Sequence, residues 1–215
     1  RQDNQILCEY AEKQQYMRRT VMKIEQFVMA YEAEQDRIRA MLPGGFESLR
    51  PVLRINTEIR DDREVYIEFN TPVVHDGSRG WLNISNWTGS REEIPFTDEN
   101  GTVTISAPFL NLSYKGVGIE GGCPAEKDND GCFFIGESTE LHLPEQINAN
   151  KEFCDCEFKW CFSADDAGGK STGKTLPAYN TEVKNHYDRQ AFTAENATKI
   201  KCEQVLGSYI VRFER

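Results

Sequence analysis

The sequence predicts an α+β protein built on an antiparallel, strongly curved sheet or closed β-barrel with a few flanking helices. Three observations point there. Residues 52–59 and 65–69 alternate apolar and polar side chains with a period of two, the pattern of half-buried strands. From Phe46 to Phe213 strand-like segments outnumber helical ones, and nothing shows the strand–helix–strand rhythm of a parallel sheet. So many strands would leave unpaired edges unless the sheet curls or closes on itself.

In chain order, residues 4–19 set Ile6, Leu7, Tyr10, Ala11 and Met17 among Glu and Lys at helical spacing. Residues 1–21 are therefore expected to form an N-terminal helical extension. Residues 22–215 are expected to form a single domain, because no linker-like stretch divides them and the length suits one large unit. Residues 23–31 mix Ile24, Phe27, Val28 and Met29 in a pattern that fits either strand or helix. Residues 32–42 turn Ala33, Ile38, Met41 and Leu42 to one side and most of their charges to another, and Pro43-Gly44-Gly45 stops that helix. Strands follow at 52–59 and 65–69, joined by the turn Arg60-Asp61-Asp62-Arg63, then at 80–84, 102–105 and 109–114. Residues 153–162 form a further strand, with Cys154, Cys156, Phe158, Trp160 and Phe162 on its apolar side, and residues 205–213 close the chain.

The net charge of −10 and the dispersal of Lys and Arg argue against a nucleic-acid backbone or an anionic membrane as partner. No run approaches the roughly 18 apolar residues that a spanning helix needs. Seven cysteines without a CxxC pair, and three histidines (His75, His142, His186) in unrelated contexts, suggest no metal site and free thiols in a cytoplasmic protein. Against that compartment stand sequons at Asn83, Asn86, Asn100, Asn111 and Asn196, which in a secreted protein would accept sugar. Residues 168–175 satisfy the phosphate-loop pattern, but Pro177 follows closely and no helix continues from it, so nucleotide binding is not expected.

The stretch of residues 114–132, YKGVGIEGGCPAEKDNDGC, is where chemistry is expected. Its glycines let the backbone pass close to a ligand, and Lys127 stands just after them as an available amine. The alternative is a solvated acidic turn, since Lys127 lies between Glu126 and Asp128.

Several segments taken together resemble the acetoacetate decarboxylase-like superfamily. These are residues 31–43 with Asp36, Arg39 and Leu42-Pro43, the strand at 51–59, Tyr66-x-Glu68 followed by Gly80, and Pro124-Ala-Glu-Lys127 after a glycine-containing strand. The likeness spans about residues 24–135 by order and spacing. It implies a barrel in which Lys127 is the Schiff-base nucleophile and Glu68 an orienting or proton-handling group, acting on a small keto acid without cofactor or metal. It also implies a homo-oligomer. A lysine amine with a reference pKa of about 10.4 must lose several units to attack at neutral pH, by desolvation or a neighbouring cation. The chain departs from the family's pattern in lacking a second lysine after Lys127 and an arginine before the first helix, where Lys23 and Ile24 stand. The substrate-binding residues are therefore unassigned, and decarboxylation or a related aldol or dehydration reaction are both open. A non-catalytic small-molecule-binding β-barrel is the alternative function.

Overall fold

The computed structural model describes residues 21–107, 110–119, 132–133, 141–142, 147, 149–161 and 200–215. Their strands are β1 (Lys23–Glu32), β2 (Phe46–Ser48), β3 (Val52–Arg60), β4 (Glu64–His75), β5 (Ser78–Ser90), β6 (Phe96–Glu99), β7 (Thr102–Ser106), β8 (Leu110–Ile119), β9 (Cys132–Phe133), β10 (Leu141–His142), β11 (Glu152–Trp160) and β12 (Gln204–Glu214). One helix, α1 (Gln35–Arg39), lies among them.

All twelve strands join one sheet in the order β10-β9-β5-β4-β3-β1-β12-β11-β8-β7-β6, with β2 paired to β4 beside this path. The pairings are antiparallel except β5 with β9. Among the described strands β10 and β6 are free ends, so the sheet is curled and open, and the closed barrel that the sequence also allowed is not what these strands form. The curl has a local origin. On one edge β11 pairs with β12 over only three positions, Glu152 to Cys154, while its other edge pairs with β8 at Phe153 and from Asp155 to Trp160. Beyond that divergence β11, β8, β7 and β6 form a second layer that folds over the first. Aromatic pairs mark the closure: Phe27 meets Tyr114 at 5.4 Å between ring centroids, Tyr31 meets Phe158 at 5.0 Å, and Phe69 meets Trp160 at 5.9 Å.

Between the layers lies the main core, with Phe27, Met29, Tyr31, Leu53, Ile55, Ile67 and Phe69 from one side and Val103, Ile105, Leu112, Tyr114, Cys154 and Cys156 from the other. The alternation in β11 matches the sequence reading: Cys154 and Cys156 are buried while Asp155, Glu157 and Lys159 face out. Residues 23–31, compatible with either structure by pattern, are strand, because β1 is central and buried on both faces. The helix expected over 32–42 shrinks to α1. Glu32 still pairs with Val52 in the sheet, and residues 40–45 are turn, so tertiary pairing overrides the helical pattern at both ends. Residues 1–20, and with them the expected N-terminal extension, lie outside the described residues. No helix among the described residues is long and apolar enough to cross a membrane.

Two outcomes test this packing. Phe69 is wholly buried, so Phe69→Ala should cost about 3–5 kcal/mol of unfolding free energy, measured by urea denaturation. Burial pushes the Tyr31 and Tyr114 hydroxyls well above the ordinary phenol range. The native state keeps these protons where the unfolded chain releases them, so their contribution is complete below about pH 10 and declines as pH rises beyond it. The loss should be about 1.4 kcal/mol per pH unit for each tyrosine, read from urea midpoints across an alkaline series.

Candidate active site

The first layer's second face is mixed: an apolar cluster of Val28, Ala30, Val52, Trp81, Tyr209 and Val211 is buried there, and beside it lies a polar patch that is buried on β3 and half-buried at Tyr66, Glu68, Asn83 and Asn86. Register fixes which residues share it. One row across β1, β3, β4 and β5 reads Ala30, Arg54, Asn70, Asn83, the next Val28, Asn56, Glu68, Asn86, and the third Gln26, Glu58, Tyr66, Thr88. Arg54, Asn56, Glu58 and Asn70 are each less than 8% exposed. Asparagine and charged residues are depleted in strands, because they pack poorly on a pleated surface and compete for backbone hydrogen bonds. Their concentration on one buried face therefore needs a compensating network.

That network centres on Glu68. Its Oε1 accepts hydrogen bonds from Asn56 Nδ2 at 2.8 Å and Asn70 Nδ2 at 3.1 Å. Its Oε2 accepts from the Tyr66 hydroxyl at 3.0 Å and Asn83 Nδ2 at 3.4 Å. A carboxylate has about four acceptor positions, and here four neutral donors fill them. The carboxamides form a directed chain, with Asn86 donating to Asn83 Oδ1 at 3.4 Å and Asn83 donating to Asn70 Oδ1 at 3.1 Å. Each amide dipole thereby points its positive end toward Glu68. Burial, with the Glu68 and Glu58 carboxylates nearby, raises the Tyr66 hydroxyl far above its usual range, so it remains a donor throughout physiological pH.

A β-bulge makes this convergence possible. Phe69 pairs with Ser85 but Asn70 pairs with Asn83, so β5 carries one extra residue, Ile84, against β4. Ile84 joins the apolar core, and Asn83 and Asn86, three apart in sequence, both face Glu68. In an uninterrupted strand that spacing would send them to opposite faces.

Cations flank the row on both sides. Arg54 stacks over the Trp81 ring at 5.1 Å and donates from Nη2 to the Tyr209 hydroxyl at 3.1 Å. Glu58 is held by Arg60, at 2.9 Å, and by both terminal nitrogens of Arg215, at 2.9 and 3.1 Å. The Arg60 guanidinium lies 4.4 Å over the Tyr66 ring, which ties this ion cluster to the Glu68 cluster. A cleft of about 680 Å³ beside Lys23, Glu25, Asp61 and Arg212 sits at the far end of β1, among exposed ion pairs.

No protein-family profile matches this sequence, and no curated protein matches it. Solved structures do match it in fold. Acetoacetate decarboxylase from Legionella pneumophila superposes with a TM-score of 0.55 at 10% identity, over 91% of this chain and 83% of that one. The chain has the acetoacetate decarboxylase-like fold. A second acetoacetate decarboxylase structure matches at 0.50 with 11% identity, over 90% of this chain and 85% of that one. The enduracididine biosynthesis enzyme MppR, in a complex with pyruvate, also matches at 0.50 with 9% identity, over 90% of this chain and 86% of that one.

Within this acetoacetate decarboxylase-like frame, the half-buried Glu68 stands at the middle of the polar patch. Lys127, and the glycine-rich segment leading to it, fall outside the described residues, as do residues 168–175. Sequence reading missed Asn56, Asn70, Asn83, Asn86 and Tyr66 as partners of Glu68. The available signal was the recurrence of asparagine at strand positions. Asn83 and Asn86 instead stood out as sequons, yet both donate their side-chain nitrogen within the network, the atom a glycan would need. Among the described cysteines Cys154, Cys156, Cys161 and Cys202 are free thiols, and no metal-binding cluster occurs among the described residues.

Glu68→Gln tests the network. An amide nitrogen facing two donors breaks at least one partly buried hydrogen bond, so the variant should lose about 1–3 kcal/mol in urea unfolding, whereas substitution of the exposed Glu92 should leave stability within about 0.5 kcal/mol.

Proposed function

We propose that this chain is an enzyme that forms a Schiff base with a small keto acid, with Lys127 as the nucleophile and Glu68 as the group that orients the reacting centre. The observation that carries the reading is the fixed, fully hydrogen-bonded Glu68 carboxylate on a half-buried polar patch of an acetoacetate decarboxylase-like fold. Solved structures with this fold include acetoacetate decarboxylases and an enzyme with pyruvate bound, which supports a keto acid as the substrate class.

The chemistry follows from the groups. The neutral Lys127 amine attacks the substrate carbonyl carbon, and loss of water leaves an iminium. In a β-keto acid the electrons of the bond to the carboxylate then flow to the iminium nitrogen, carbon dioxide departs, and the resulting enamine is protonated at carbon and hydrolysed to free the amine. In other keto acids loss of a proton from the carbon beside the iminium gives an enamine instead, which supports aldol or dehydration chemistry. Glu68 already accepts four hydrogen bonds, which favours a role as a fixed negative charge over one as a proton carrier. A fixed anion stabilises the iminium as its charge develops, without reorganisation at the moment of reaction. No cofactor is required. The reading includes a homo-oligomer in the cytoplasm, acting on small molecules and not on nucleic acid or membrane.

The saturation of Glu68 by internal donors also suits a second reading, a non-catalytic protein that binds a small molecule on the same face. Borohydride reduction in the presence of acetoacetate separates the two. Catalysis predicts a permanent mass gain on a peptide containing Lys127 that disappears in Lys127→Ala. Reduction that labels no lysine leaves only the binding function.

A further inference from the structure

One oxygen around Glu68 has no donor. A carboxylate can only accept, so the Asn56 group 2.8 Å from Glu68 Oε1 is its NH₂, and its carbonyl oxygen faces elsewhere. That oxygen is buried without a hydrogen-bond partner, on a residue 6% exposed. The corresponding oxygens of Asn70 and Asn83 are each filled by the next carboxamide along the chain. Asn56 has no such neighbour: its partner on β1 is Val28, which offers no side-chain donor. A buried acceptor left empty is costly, and such groups in folded proteins meet a donor from protein, water or ligand. The Trp81 indole N–H, on the same face, is likewise buried without an acceptor.

We propose that Asn56 Oδ1 receives a hydroxyl of the substrate, so that the site selects hydroxylated keto acids over plain ones. The inference rests on the keto-acid reading of this face. Plain keto-acid anions such as pyruvate or acetoacetate carry no O–H or N–H and leave Asn56 Oδ1 unfilled. A hydroxyl supplies the donor that Asn56 Oδ1 lacks. A site built around a substrate hydroxyl rejects the analogue that lacks it, because the protein group is then buried unpaired.

Pyruvate and hydroxypyruvate differ by a single hydroxyl and serve as probes in titration calorimetry. Wild-type protein should bind hydroxypyruvate about tenfold more tightly. Asn56→Ala should bring the ratio of the two affinities to about one, whatever its effect on pyruvate binding itself, and Lys127→Ala should retain the preference. Equal affinities in the wild type, binding of neither acid, or a preference that survives Asn56→Ala in folded protein would each overturn the assignment. The wild-type ratio alone decides if the variant fails to fold. Loss of borohydride trapping at Lys127 with the preference intact removes the Schiff-base mechanism and leaves the hydroxyl site standing. Trapping without preference does the reverse.

Discussion

Strand β3 has water on neither side: every residue from Val52 to Ile59 is buried. Leu53, Ile55 and Ile59 meet the apolar core, so Arg54, Asn56 and Glu58 are committed to the opposite face with the solvent removed. Burying an ion without a partner costs several kcal/mol, and breaking one half of a buried pair costs a comparable amount. The neighbouring strands answer that demand. Arg60 and Arg215 clamp Glu58, Tyr209 and Trp81 hold Arg54, and Asn56 turns its amide to Glu68 on β4. The polar face is thus a consequence of where β3 sits in the sheet order, between β1 and β4, as much as of its composition.

The strands were legible in the sequence wherever one face of the sheet is apolar. Residues 52–59, 65–69 and 205–213 alternate clearly enough that their strands were expected, although β4 and β5 run several residues beyond the recognised segments. The extension of β4 passes through Pro72, a residue that strand interiors disfavour. In the structure its carbonyl accepts from Leu49, and Thr71 and Val73 beside it keep their pairing to β5. Residues 23–31 resisted a decision because a strand buried on both faces loses its alternation, and an apolar run then has no period to read. The curl of the sheet was foreseen from the excess of strands. Its form depends on β11 pairing briefly with β12 on one edge and at greater length with β8 on the other, and those pairings are long-range choices no local pattern encodes.

The site was half legible. Glu68 stands out as a carboxylate in an otherwise apolar and aromatic strand. Its partners come from β3, β4 and β5, between 2 and 15 residues away in sequence, and they meet through cross-strand register. Without the register, Asn56, Asn70, Asn83 and Asn86 are scattered polar residues. With it they become consecutive links converging on one carboxylate. The bulge was equally unreadable, since neither Ile84 nor Ser85 departs from ordinary strand composition.

The extra residue in β5 sets a limit on how this segment can change in length. Residue identities on either side of Ile84 can drift while the face keeps its polarity, because each position has a fixed outlook. Removing or adding one residue there would exchange inward and outward positions along one arm of the strand, setting asparagine into the oily interior and isoleucine among amides. Variation among relatives of this chain should therefore run through substitution in β5, with gains and losses of residues confined to the turns beyond its two ends.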